Sequence, residues 1–547
     1  MSESTRPTNA QPASTTDVYA VYGVEPEVQA YAMAKYSRSS LSMKESLAEI
    51  SQQRAEKFLN TFYFQYGHRS IADLAHIAMA VERLSLLAAI VLEDEQRWDG
   101  QERSTRYQDF SHPDYYAPDL GDAALTRQYR DAIEFLFSEY RFFSDEMFRY
   151  LVDRTPRPPE MKQDAYERTL RARAFDIARY LLPLATNTSL GQIVNARTLE
   201  TQVSRLLTDP HAEVRALGLK LKAAANTAAY NVHAKAIGEL ATELDKHDHA
   251  LAERLRSELL KDVRVAPTLV KYAEPNSYLA ETRRELTQAA RELMGSDEIE
   301  SAPEVDLLDS GPVEIEIATT LLYEQCHYSY RQIRKKVAAL SEKRRNEIID
   351  LGTRHRGSHD ELLKAFCSGQ QFRFDILMDV GGFRDMHRHR RCVQIHQGFV
   401  FAHGFDTPDD IANAGLGDRY AAAMQRTGES AHALATALQA KAAGASKDEA
   451  WSETDRVPHS SQSGEGASGP WTEAQYLMPL AYRKRTLFKM DFAEAVYVSE
   501  LRTGPAGHFS YRNIAYKMYE AVASRHPALA KYFRVHDVRE PVDLLKR

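Results

Sequence analysis

Cysteine is scarce in this chain. Its 547 residues hold three, Cys326, Cys367 and Cys392, all in the second half and widely spaced. An odd number without a pairing pattern argues against a disulfide framework and for reduced thiols, so a cytoplasmic location is expected. Long apolar runs are also lacking. The longest near the front, Leu84 to Leu92, falls far short of a bilayer span and reads as a buried helix segment. The opening MSESTRPTNAQPASTT has no apolar stretch of the kind a secretion signal needs, and residues 1–16 are expected to be a disordered tail. A strong charge of one sign is the third absence. The formal net charge is −7, so neither nucleic acid nor an anionic membrane is an expected partner. Any anion-binding site must then be a local cluster of arginines.

What is present is ordinary globular composition, 43% hydrophobic and 27% charged, in a chain long enough for two or three domains. The chain also repeats itself. Ala178-Arg-Tyr-Leu-Leu-Pro183-Leu-Ala185 returns as Ala474-Gln-Tyr-Leu-Met-Pro479-Leu-Ala481. Leu125 and Tyr129 return as Leu416 and Tyr420, and His211 as His508. Collinear matches at nearly constant separation mean duplication. Leu125, Tyr129, Ala132, Leu136, Tyr140, Phe143 and Met147 are spaced as one face of a long helix, as are Tyr420, Met424, Ala431, Leu434 and Leu438. The alternation in Gln371–Met378 suits a strand.

These patterns predict an α+β fold: two homologous helix-rich domains, each with a mixed or antiparallel sheet, packed as a pseudo-dimer. The boundaries read as a first copy over 17–294, an acidic linker over 295–312 and a second copy over 313–547, with a flexible insertion at 443–470.

Two segments carry chemistry. Gln101-Glu102-Arg103-Ser104-Thr105-Arg106-Tyr107 alternates a carboxylate, a hydroxyl and a guanidinium; if extended, Glu102, Ser104 and Arg106 share one face. A hydroxyl beside an arginine suits a phosphate. Arg384-Asp385-Met386-His387-Arg388-His389-Arg390-Arg391 concentrates positive charge, which needs an anion or nearby carboxylates. Its cationic neighbours oppose a dication, so no metal is expected. The plainer alternative is ion pairing with Glu93-Asp94-Glu95.

Together with Gly67-His68-Arg69-Ser70, Arg179-x-x-Leu182-Pro183, Asn195-Ala196-Arg197 and Leu501-Arg502, these segments resemble the flavin-dependent thymidylate synthases. That family's signature reads R-H-R-x-x-S-x-N-E-x-S-x-R-Y after an upstream H-x-S. The signature is divided between the copies. The first keeps Glu102-x-Ser104-x-Arg106-Tyr107 but has Asp94-Glu95-Gln96 in place of R-H-R. The second keeps Arg388-His389-Arg390 but has His396, Gly398, Val400 and Phe401 in place of E, S, R and Y. Arg179 faces Gln475 in the duplicate, and Arg502 faces leucines. Each copy has lost what the other retains, as expected if one composite site works and its mirror is free to decay.

The resemblance implies FAD as cofactor, with dUMP, methylenetetrahydrofolate and NADPH as substrates. It assigns Ser104, Arg106, Tyr107, Arg179 and Arg502 to the nucleotide, and His68, Ser70, Arg388, His389, Arg390 and Asn195 to the flavin. Arg502, Arg179 and Glu102 would be catalytic. His68 and Ser70 have a second reading as a helix cap before Ile71. A homodimer of four domain copies is also implied. The alternatives are a relative with altered nucleotide or pterin chemistry, and a non-catalytic nucleotide- or partner-binding protein.

Overall fold

The structure, a computed structural model, describes residues 21, 23–36, 43–48, 69–106, 108–295, 297–357, 360, 362–445 and 471–545. The expected tail, His68, Tyr107 and nearly all of the 443–470 insertion lie outside them. The described residues form two compact units, one from those up to His76 together with 225–271, the other from 77–224 together with 272 onwards.

In the first unit, helix Pro26–Tyr36 is tied to the later stretch through Glu27. The buried Glu27 carboxylate accepts the Thr268 and Leu269 amides at 2.8 and 2.6 Å. The helices Ala234–Asp245 and His249–Leu259 pack as a hairpin in the same unit.

The second unit holds the duplication. Its first copy runs β1 (His76–Ser85), α1 (Leu86–Glu93), β2 (Asp99–Glu102), α2 (Ala123–Arg154), α3 (Gln163–Ala178), β3 (Asn187–Asn195) and α4 (Ala196–Leu207). The apolar stretch read as helix begins one residue later than its cap: Leu84 and Ser85 close β1, and the Ser85 hydroxyl accepts the Ala88 amide at 3.0 Å to start α1. The second copy carries β4 (Val305–Leu307), β5 (Phe372–Asp379), α5 (Val380–Met386), β6 (Val393–His396), α6 (Gly417–Ala445), β7 (Arg483–Met490), α7 (Phe492–Thr503) and α8 (Phe509–Arg525). Strand order is β1-β3-β2 in one sheet and β4-β5-β7-β6 in the other, so three strands of each correspond in order. Register corresponds too: Glu102 lies opposite Leu190 and His396 opposite Thr486, both antiparallel.

The repeated segments meet each other. Leu184 and Ala185 donate their amides to Met478 and Tyr476 at 2.8 and 2.9 Å, and Leu480 and Ala481 return them to Leu182 and Tyr180 at 3.0 and 3.1 Å. Pro183 faces Pro479 at the centre. A segment hydrogen-bonded antiparallel to its own duplicate is what a local two-fold between copies produces. The equivalent helices α2 and α6 also pack together. Arg419 places its fork on Glu139 with two bonds of 2.8 Å, and Phe143 meets Tyr420 edge-on at 5.8 Å. Tyr129, Leu136, Tyr140, Phe143 and Met147 are all buried there, as the helical spacing predicts; burying side chains of this size stabilises by about 1.5–3 kcal/mol each.

Two local expectations change. Glu102, Ser104 and Arg106 do not share a strand face: β2 ends at Glu102, and the Ser104 hydroxyl accepts the Arg106 amide at 3.2 Å, turning the chain. The acidic segment 295–312 contains β4, an edge strand antiparallel to β5. Asp306 within it takes a bidentate Arg331 at 2.6 and 2.9 Å, so its charge is partnered rather than solvated.

Candidate active site

The turn after β2, the end of α3, helix α5 and the α7–α8 connection bring ionic side chains from both copies together. Arg106 forks onto Asp176 with two bonds of 2.9 Å, and its third nitrogen donates to the Tyr511 hydroxyl at 3.0 Å. Arg179, buried at the end of α3, lies 3.6 Å from Asp176 and 3.5 Å from Asp385, and donates to Thr105 at 3.4 Å. Its Nε and Nη2 have no hydrogen-bond acceptor. From the second copy, Arg384 donates to Glu102 at 2.6 Å and to the Thr105 hydroxyl at 3.2 Å, while Arg388 lies 3.7 Å from Glu102. Arg502 donates to His389 Nε2 at 2.8 Å and lies over the Tyr511 ring. A side chain at Gly382 would put its Cβ 2.6 Å from the Ser510 hydroxyl, which would have to move, so glycine lets the start of α5 lie close against α8.

Asp385 is the centre of this charge. Burial alone would raise its carboxyl, but Arg179, Arg106, Arg388 and Arg502 hold it below the ordinary value. Burial likewise works against ionised Asp176, and the guanidiniums of Arg179 and Arg106 overcome it. Burial, followed by Arg179, pushes His508 down to about 3, so this imidazole is neutral. Burial also lowers His389, which leaves Nε2 free to accept from Arg502.

The four arginines Arg106, Arg179, Arg388 and Arg502 thus converge although they come from different copies. Glu102 joins them through Arg384. Ser104 is spent on its turn, and the neighbouring Thr105 supplies the hydroxyl that faces the cluster. Asn195 caps α4, accepting the Thr198 amide at 2.8 Å. Ser70 is exposed in the first unit, within a short 3-10 turn over Arg69–Leu74, not at a helix cap. The sequence reading gave no role to Asp176 or Tyr511, and none of their own to Thr105, Arg384 and Asp385 within the segments it singled out. Asp385 lay inside the arginine-rich segment and could have been found by asking what neutralises it.

The pairing of R-H-R with Glu93-Asp94-Glu95 holds for one contact, Arg390 to Glu93 at 3.7 Å. Burial and Glu102 push Glu93 up to about 7. Glu95 instead pairs with Arg205 at 2.8 Å, and Asp94 with Lys364 at 2.6 Å. A cavity of about 120 Å³ lined by Leu151, Arg173, Asp176, Pro505, Arg512 and Leu544 touches the cluster at Asp176. It is smaller than the roughly 300 Å³ of a usual ligand pocket. Arg388 and Arg502 are half-buried, whereas Arg106 and Arg179 are buried.

The family model described as thymidylate synthase complementing protein matches residues 21–228 and again 313–528. The chain belongs to this family. It carries the family's domain twice, as the internal repeat and the matching sheets require. The doubled length recurs in relatives of this thymidylate synthase-family chain. A UPF0159 protein of Chlamydia pneumoniae is 26% identical over 97% of this chain and 93% of its own length. One from Thermoplasma acidophilum is 24% identical over 92% and 94%. Among solved structures, the flavin-dependent thymidylate synthase of Helicobacter pylori, complexed with FAD and dUMP, matches at 14% identity and a TM-score of 0.25, covering 37% of this chain and 89% of that one.

Proposed function

We propose that this family member methylates dUMP to dTMP, using methylenetetrahydrofolate as carbon donor, NADPH as reductant and FAD as bound redox carrier, at one composite site built from both copies. The observation that supports this is the convergence of Arg106 and Arg179 with Arg388 and Arg502 around Asp385, in a chain of this family.

The residues fit anionic ligands. Arg179 Nε and Nη2, Arg384 Nε and Arg390 Nη2 are buried donors without hydrogen-bond acceptors, and an anionic phosphate would supply acceptors. Arg388, His389 and Arg390 would hold the flavin, which when bound supplies the hydride chemistry. Arg179 and Arg502 would orient the nucleotide; a guanidinium against a uracil favours its anionic form and raises electron density at the carbon to be alkylated. Glu102, held by Arg384, fixes the arginines that face both ligands.

The test is direct. The purified protein should be yellow, with flavin absorbance, and should form dTMP from dUMP only when methylenetetrahydrofolate and NADPH are both present. Colourless protein that also fails to bind added FAD would refute the reading. One observation favours a second reading, nucleotide binding without methyl transfer: Arg106 already ends on Asp176, so a phosphate would have to share or displace that carboxylate. Tight dUMP binding with no dTMP formed in the reconstituted flavoprotein would establish it. We also propose that the chain dimerises, giving four domain copies; a catalytically active 62.0 kDa monomer in sedimentation would refute that.

A further inference from the structure

A second cluster, buried at His387 and half-buried at Asp94 and His396, lies around the position that mirrors Glu102. Asp94 from the first copy meets His387 and His396 from the second, with one ligand atom of each within 4.8 Å of the other two. His396 is the duplicate of Glu102 in strand register, so this cluster grew where the signature was lost.

The imidazoles are set as ligands. Gln394 commits its amide nitrogen to the His389 carbonyl at 2.7 Å, which turns its oxygen toward His387 Nδ1 at 2.9 Å. An amide oxygen only accepts, so His387 carries its proton on Nδ1 and presents Nε2 as a lone pair. His387 is 2% exposed and that Nε2 has no hydrogen-bond partner. Neither ring nitrogen of His396 has a hydrogen-bond partner either, and its Nε2 stands 3.5 Å from the Asp94 carboxylate. An unsatisfied buried nitrogen is costly, a penalty that a bound cation removes at the nitrogen it takes. The rings are held in place: Phe383 stacks on His387 at 5.1 Å and meets His396 edge-on at 5.0 Å.

We infer that Asp94, His387 and His396 form a mononuclear site for a divalent first-row transition metal ion, zinc fitting two imidazoles and a carboxylate, with a fourth position open to water. The Gln394 contact is the outer hydrogen bond that fixes a ligating histidine. Tetrahedral zinc, with bonds of about 2.0–2.1 Å, sets its ligand atoms roughly 3.3 Å apart, close to the 3.5 Å between Asp94 and His396, and no pair in the group must close by more than about 1.5 Å. The competitor is Lys364, 2.6 Å from Asp94 Oδ1. That is the same oxygen that faces His396, so the ion displaces Lys364, whose side chain is 37% exposed and can turn to solvent.

The test uses full-length protein stripped with a chelator and dialysed against zinc chloride, then cobalt chloride. One ion per chain should be retained, with His396→Gln and Asp94→Asn each weakening retention at least tenfold. The cobalt form should show visible d–d absorption and no thiolate charge-transfer band. Metal-free melting midpoints of both variants are measured alongside, and the variant that keeps the wild-type midpoint decides. Failure to retain an ion, equal retention in that variant, or a thiolate band assigning the ion to a cysteine would overturn the inference.

Discussion

Arg106 and Asp176 offer a quantitative test of how the composite cluster is built. The pair is bidentate, with both bonds at 2.9 Å and side-chain exposures of 9% and 7%. Removing one member of a buried ion pair leaves the other charge uncompensated and typically costs about 3–5 kcal/mol. Asp176 would keep Arg179 at 3.6 Å, so Arg106→Gln should fall near 3 kcal/mol. Asp176→Asn removes the carboxylate shared by Arg106 and Arg179 and should cost more. In the double variant neither charge is orphaned by the loss of the other, so the cycle should show a coupling of about 1–3 kcal/mol. Urea denaturation followed by tryptophan fluorescence, with Trp98 and Trp471 both buried in the same unit, measures each midpoint, with the slope checked for constancy. The pH dependence has a definite sign. Asp176 titrates below its ordinary value in the folded chain, so its contribution is complete above about pH 4 and is lost as pH falls through the native value. Asp176→Asn should lack that part of the acid dependence. Additive single-variant effects, with coupling below about 0.5 kcal/mol, would show that the fork does not hold the copies as described.

Other outcomes follow from the same geometry. Arg179→Ala and Arg502→Ala should each lower dTMP formation by roughly 10²–10³, or about 2.7–4 kcal/mol, measured by product formation in the reconstituted flavoprotein; an unchanged rate would remove that arginine from the site. Mixing Arg106→Ala with Arg388→Ala protein should restore nothing above background, because both arginines face one Asp385 within a chain; recovery to about a quarter of wild type would place the site between chains. Replacing Cys326, Cys367 and Cys392 with alanine should leave flavin content and rate within a few-fold. Burial pushes Cys326 and Cys392 up to about 12, so neither is a thiolate near neutrality, and loss of rate with flavin retained would reveal a thiol step.

The duplication was legible in the chain because repeated side chains at repeated spacing need no folding to be seen. The helical faces of α2 and α6 and the alternation of β5 were legible for the same reason: each reports a local period, 3.6 or 2, that burial enforces. The sharing of the family signature between copies was legible as well, residue by residue.

Contacts across hundreds of residues were not. Nothing local tells Arg106 that Asp176 will take its fork, or that Ser104 will turn inward on its own backbone and leave Thr105 to face the cluster. The grouping of Asp94 with His387 and His396 was hidden for a related reason: the carboxylate comes from the other copy, far from the histidines along the chain. Chain order alone determined what was repeated and which half kept which residue. The two-fold pairing of Pro183 with Pro479 decided which of those residues share a space, because charge and lone pairs act over a few ångströms whatever their separation along the chain.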